Sequence, residues 1–191
     1  MKITGGQLRG RVLAGPRNLE IRPSSNKVRE AIFNIIGQNL SGSRVLDLFS
    51  GTGLLGIEAL SRGAARADFV DHAKQALALI KKNLARCGYE HSGKIYKWDL
   101  SKGLPESRPF LDATYDLVFL DPPYRSHLAA GLIEALSVST QLAPGAVIIL
   151  ETGKTVETRH VETRHALSLP LVETRIYGDT NLSIYKKKDP S

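Results

Sequence analysis

Two adjacent prolines, Pro122 and Pro123, constrain this chain more than any other pair of residues. They follow Tyr115-Asp116-Leu117-Val118-Phe119-Leu120, an apolar run of strand character. Neither proline can donate a backbone hydrogen bond, so a central strand has to end at Asp121. That leaves an acid, two stiffened carbonyls and the ring of Tyr124 at a strand's carboxyl end, where open α/β sheets hold their ligands.

A second stretch of this kind lies upstream. Residues 44–49 read as a strand, with Val45, Leu46, Asp47, Leu48 and Phe49 in it, and Ser50-Gly51-Thr52-Gly53-Leu54-Leu55-Gly56 as a glycine loop opening a helix that Gly63 closes. Strand patterns recur at 67–70, ending at Asp71, and at 94–98, ending at Asp99. Between them a helix carries Ala73, Ala76, Leu77, Ile80 and Leu84 on one face, with Cys87 late on that face as a core residue. Residues 101–113 read as a loop or short helix. A helix then carries Leu128, Leu132, Ala135 and Leu136, and the turn Pro144-Gly145 leads into a strand over 146–150. Two last strands fall within 166–176 and 181–187. Strands alternating with helices imply βαβ units and a parallel sheet. The directly repeated pentapeptide Val156–His160 and Val161–His165 is too short for a solenoid and reads as a surface duplication.

The first 42 residues differ in character from the rest. Extended pieces at 1–4, 8–13 and 19–21 are joined by Gly5-Gly6, Gly10 and Pro16. After Pro23-Ser24-Ser25 a helix is expected, with Val28, Ala31, Ile32, Ile35 and Ile36 on its apolar face and Lys27, Glu30 and Asn34 opposite. Of the net charge of +7, the first 29 residues hold seven basic residues against one acid, Glu20. This asymmetry points to an arm that meets a polyanion, with Arg9, Arg11, Arg22, Lys27 and Arg29 as candidate contacts to a nucleic acid of either kind. The expected organisation is an extension over 1–42 and a main domain over 43–191. Because the candidate cofactor ligands begin at Asp47, the arm reads as separable from cofactor binding. A single cysteine excludes a disulfide framework and a cysteine-based zinc site. No apolar run reaches membrane-spanning length and no signal peptide is evident, so a soluble cytoplasmic protein is expected.

The glycine loop fits the dinucleotide fingerprint, and its backbone at Ser50, Gly51 and Gly53 can approach a ligand closely. The neighbouring acids discriminate between ligands. Asp47 suits a cationic group such as the amino group of methionine, or caps the glycine turn. Asp71 can accept from ribose hydroxyls, or cap the next helix. Asp99 can accept from an adenine amine, or cap a turn at 101. No metal site is expected. At the second site, Asp121 and the Pro122 carbonyl can accept hydrogen bonds from the two N–H groups of an exocyclic amine, exposing its lone pair, while Tyr124 stacks on the base. Catalysis is then mostly positioning and electrostatics. A flipped-out base is required.

These motifs resemble S-adenosylmethionine-dependent methyltransferases of nucleobase amines. Ile3-Thr4-Gly5-Gly6, Gly10-Arg11, Ile21-Arg22-Pro23 and Val28-Arg29-Glu30-Ala31-Ile32-Phe33-Asn34-Ile35 narrow the likeness. With Asp121-Pro122-Pro123-Tyr124 and Tyr177-Gly178-Asp179, the chain is similar to the bacterial 16S rRNA guanine-N2 methyltransferases of the RsmD family. The resemblance implies a Rossmann-like, mostly parallel seven-stranded sheet with helices on both faces, its last strand antiparallel, and a β-rich amino-terminal extension. It implies S-adenosylmethionine as cofactor and a guanine in 16S rRNA, naked or in an assembling small subunit, as substrate. A monomer without obligate protein partner or membrane is expected. The family usually carries glutamate where this chain has Asp71. Competing readings are an amine methyltransferase acting on DNA, on protein or on adenine-N6, a nucleotide-dependent oxidoreductase, and a non-catalytic rRNA-binding assembly factor.

Overall fold

The computed structural model describes residues 1–16, 26–105, 114–123, 128–153 and 169–189. The pentapeptide duplication, Arg22, Tyr124 and the expected strand start at 166–168 lie outside the described residues. The chain is α/β and Rossmann-like, with seven strands, mostly parallel, and two compact units that divide between Trp98 and Asp99.

The first unit contains the arm, α1 (Asn26–Ile36), β1 (Arg44–Leu48), α2 (Leu54–Ser61), β2 (Arg66–Asp71), α3 (Lys74–Cys87) and β3 (Gly93–Lys97). Its strands run parallel in the order β3-β2-β1. β1 and β2 are buried almost throughout, which is why they read as continuous apolar runs rather than alternating ones. α3 buries Ala76, Ile80, Asn83 and Leu84, and Gly88 closes it in the left-handed region. Cys87, expected in the core, is only half-buried because it falls in the helix's last turn, and burial pushes its thiol pKa upward.

The arm is less strand-like than its sequence suggested. It forms one antiparallel bridge, Lys2 to Val12, around a turn at 7–10. Ile3 and Leu13 are buried, so the arm contributes to the unit's core. Gly6 explains how close it comes: at φ 73°, an added Cβ would lie 1.8 Å from the Ser61 carbonyl oxygen at the end of α2.

The second unit holds a 3₁₀ turn at 100–102, β4 (Tyr115–Leu120), α4 (Leu128–Val138), β5 (Leu142–Gly153), β6 (Leu171–Tyr177) and β7 (Thr180–Lys186). Its strand order is β4-β5-β7-β6; β4 and β5 are parallel, and β7 is antiparallel to both its neighbours. β5 begins before Pro144-Gly145 rather than after it. The register passes from Tyr115↔Leu142 to Leu117↔Val147, so the dipeptide sits in an irregularity within the strand, where a missing donor is tolerated. β6 exposes almost every residue. Among the described residues, no helix is long and apolar enough to cross a membrane.

Candidate active site

The glycine loop is built on hydrogen bonds that its own sequence supplies. Phe49 turns the chain out of β1 at φ 58°, an uncommon conformation for a residue with a side chain. The Ser50 hydroxyl donates to the Asp47 carbonyl and accepts from Val70 N at 2.9 Å, tying the ends of β1 and β2 together. Gly53 N donates to the Ser50 carbonyl at 2.7 Å, and Gly53 precedes α2 with φ 75°. A Cβ on Gly56 would lie 2.4 Å from the Phe69 ring and 3.1 Å from Asp47 Oδ2, so glycine there allows α2 to sit against the strands.

Two acids face this loop. Asp47 is buried and its Oδ2 accepts from Gly56 N at 3.0 Å. Burial raises its pKa to about 8; the Gly56 N–H opposes the rise and the Asp71 charge adds to it. Burial therefore favours the protonated form of Asp47 over the ionised one. Asp71 Oδ2 accepts from Gly51 N and Oδ1 from Ala73 N, both at 2.9 Å. It clips the loop to the start of α3. Asp47 bonds within the first turn of α2, as its capping alternative requires, whereas α3 has no side-chain cap and Asp71 instead ties Gly51 to the residue that precedes that helix. A carboxylate oxygen has two lone pairs, so neither role excludes a ligand. Ser50, Gly51, Gly53, Asp47 and Asp71 are thus gathered at one place. A buried acid poised to ionise and a hydroxyl-accepting carboxylate beside a helix N-terminus suit a cationic, hydroxyl-bearing ligand.

Asp99, Asp121 and Pro122 belong to the second unit. Asp99 Oδ1 accepts from Ser101 N at 3.0 Å and from its hydroxyl at 2.7 Å, which realises the turn-cap role. Asp121 directly follows β4 and is half-buried, with Pro122 buried and Pro123 exposed. The strand ends where the prolines require.

Among the candidate RNA contacts, Arg9, Arg11 and Lys27 are exposed, and Arg11 Nη1 donates to the Arg86 carbonyl at 3.2 Å. Arg29 is a correction. It is buried, with Nε 2.7 Å from Glu58 Oε2 and Nη2 donating to the Lys2 carbonyl at 2.7 Å and to Asn26 Oδ1 at 2.9 Å. Its charge is spent inside the protein and is not offered to a phosphate. Glu58 Oε1 also takes Arg62 Nη2 at 2.7 Å and Thr4 N at 3.2 Å, and Arg62 lies 4.3 Å from the centre of the Phe33 ring. This buried cluster joins the arm, α1 and α2, and the sequence reading missed Glu58 and Arg62. The signal was there. Glu58 sits inside an otherwise apolar helix, and Arg29 lies one turn before Phe33 on the apolar side of α1, so each needed an opposite charge.

The family described as conserved hypothetical protein 95 matches residues 1–186. The chain is 35% identical over 188 residues to a Bacillus subtilis (strain 168) protein named as an rRNA methyltransferase, YlbH, covering 98% of this chain and all of that one. It is 34% identical over 152 residues to ribosomal RNA small subunit methyltransferase D of Escherichia coli (strain K12), covering 80% of this chain and 74% of that protein. Among solved structures, yhhF from Escherichia coli, named as a methyltransferase, superposes with a TM-score of 0.79 at 29% identity, covering 100% of this chain and 99% of that one.

Proposed function

Because the chain belongs to the conserved hypothetical protein 95 family, with the small-subunit rRNA methyltransferases D of the RsmD type among its members, we propose that it methylates the exocyclic N2 amine of a guanine in 16S rRNA, using S-adenosylmethionine. The observation that carries the reading is the pairing of motifs. A glycine loop flanked by Asp47 and Asp71 suits the cofactor, and an acid followed by two prolines at a strand end suits the amine. The cofactor supplies an electrophilic methyl group on a sulfonium.

In this reading Asp47 receives the methionine ammonium, and Ser50, Gly51 and Gly53 shape the loop around it. Asp71 accepts from the ribose hydroxyls with its remaining lone pairs, and Asp99 from the adenine amine. Asp121 and the Pro122 carbonyl accept hydrogen bonds from the amine's two N–H groups, which localises the nitrogen lone pair toward the methyl group. Tyr124 stacks on the flipped base. The ammonium first formed is acidic and loses its proton after transfer. Exposed Arg9, Arg11 and Lys27, with Arg22, meet the RNA backbone from the 1–42 extension. The substrate is naked 16S rRNA or an assembling small subunit, and the protein works as a cytoplasmic monomer.

The test is single-turnover methylation of small-subunit rRNA with labelled S-adenosylmethionine, read by mass spectrometry of the nucleosides, with DNA and free protein as alternative acceptors. Asp121→Ala is expected to slow transfer by roughly 10²–10³-fold, the effect of losing one preorganised electrostatic contact, with cofactor affinity largely kept. Label on adenine-N6 or on DNA would replace the guanine assignment. Near-normal rates in folded Asp121→Ala would remove Asp121 from the chemistry. Absence of any transfer with the cofactor bound would favour the assembly factor.

A further inference from the structure

Two residues of the amino-terminal arm, Met1 and Ala14, lie beside the glycine loop and the α3 asparagine that holds it. Met1 Sδ lies 3.7 Å from the Thr52 hydroxyl, and Leu13 N donates to the Met1 carbonyl at 2.9 Å, bringing Ala14 alongside. Ala14 N donates to Asn83 Oδ1 at 2.7 Å, while Asn83 Nδ2 donates to the Ala14 carbonyl at 3.0 Å and to the Thr52 carbonyl at 2.9 Å. Asn83 is fully buried on α3. Both its amide hydrogens and its oxygen are engaged. A buried asparagine needs only to be satisfied, and its own helix or one neighbouring segment would serve. Here the three bonds go to two segments 69 and 31 residues away in sequence, the arm and the cofactor loop. Thr52 stands between Gly51, held by Asp71, and Gly53, which opens α2. One side chain therefore sets the position of the loop's central carbonyl against the position of the arm.

We propose that Asn83 is a positioning residue that couples RNA docking on the arm to cofactor binding at the glycine loop. The inference rests on the reading above, in which RNA meets the arm and S-adenosylmethionine the loop. RNA held by the exposed Arg9 and Arg11 restrains the arm, and with it Ala14. Asn83 transmits that restraint to Thr52, so the loop is ordered before the cofactor arrives. By linkage, bound cofactor tightens RNA binding by the same factor.

The experiment uses S-adenosylhomocysteine, which lacks the transferable methyl group and so binds without reacting. Its affinity is measured by calorimetry with and without saturating protein-free small-subunit rRNA. In the unaltered protein, RNA is expected to tighten binding by about fivefold or more, the lower end of common coupling factors. Asn83→Ala, and separately Ala14→Pro, which removes the arm's donor and stiffens the backbone at Leu13 and residue 14, are expected to bring that ratio to about one. A merely structural role would lower the melting temperature and both affinities while leaving the ratio intact, and that result overturns the proposal. A ratio of one in the unaltered protein overturns it too. Should either variant fail to fold, hydrogen exchange of the unaltered protein decides: RNA alone should protect the amides of residues 51–53, and no added protection overturns the coupling. Failure of the unaltered protein to bind S-adenosylhomocysteine or rRNA at all is a different result. It overturns the functional reading, and the inference with it.

Discussion

The region where α2 meets the arm and the region where β4 meets β5 are both buried, but they are held by opposite means. β4 and β5 bring Leu117, Val118, Phe119 and Leu120 beside Val147, Ile148, Ile149 and Leu150, mostly fully buried and wholly apolar. Around α2 the buried residues include Arg29, Glu58, Ser61 and Arg62, each bonded to a specific partner. Apolar packing is non-directional and tolerates small adjustments. A buried charge cluster admits one arrangement, because removing a partner strands a charge in a poorly solvating interior. The apolar region has only to deliver Asp121 to a strand end. The polar region has to fix the arm against α1 and α2.

The largest expected effect tests that contrast directly. Glu58→Gln leaves the guanidinium groups of Arg29 and Arg62 without their carboxylate. It should cost about 3–5 kcal/mol of folding stability, the usual result of breaking a buried ion pair from one side. Ile149→Val, a one-methylene deletion between β4 and β5, should cost only about 0.5–1.5 kcal/mol. Urea denaturation of both variants decides. Equal losses would mean that the charge cluster is no more exacting than the apolar core.

Asp47 gives an intermediate effect with a defined sign. Its pKa is raised to about 8 in the folded chain, from 3.8, mainly by burial. Between those values the folded state holds a proton that the unfolded state has lost, so this group's contribution to stability falls as pH rises and levels off above about 8. Asp47→Asn removes the titration. The stability difference, variant minus unaltered protein, should be smallest near pH 4 and grow as pH rises toward about 8. A cationic cofactor draws the proton off, so S-adenosylmethionine affinity should rise toward pH 8 in the unaltered protein and stay flat in Asp47→Asn. Parallel stability curves for the two proteins would show that Asp47 is ionised in the free state.

How much of this was legible beforehand follows the same division. Apolar runs announced β1, β2 and β4, because strands buried on both sides need no pattern beyond continuity. Pro122-Pro123 announced the end of β4 by covalent chemistry alone. The loop's Gly51, Gly53 and Gly56 were legible because few other residues fit such a turn. What escaped was pairing over long sequence distances. Nothing local says that Arg29 will face Glu58 rather than solvent, or that Asn83 will bind Ala14. The arm was therefore read as a separable basic appendage. In the fold Ile3 and Leu13 are core residues, and Thr4 and Ala14 complete buried polar groups. Removing the arm would damage the unit that carries the glycine loop, so deletion cannot test the proposed role of the arm in RNA binding.

Charge neutralisation at exposed positions isolates it instead, and here the smallest effect is expected. Arg9 and Lys27 are exposed in the first unit, whereas Lys186 and Lys188 are exposed in the second, at the far end of the sequence. Phosphate contacts release counterions, and each one on a single strand contributes about 0.7 to the slope of log affinity against log salt. Arg9→Gln with Lys27→Gln should flatten that slope by about 1.4 if both residues touch phosphate. Neither side chain enters the core, so the melting temperature should hold. Lys186→Gln with Lys188→Gln removes the same charge from the chain. If these lysines touch no phosphate it should leave the slope nearly unchanged, because the slope counts phosphate contacts rather than net charge. The comparison is made on one rRNA fragment at several salt concentrations. Equal flattening by the two pairs would mean that RNA senses the protein's overall charge, and that the arm has no privileged contact. Flattening by the second pair alone would move the docking surface to the second unit.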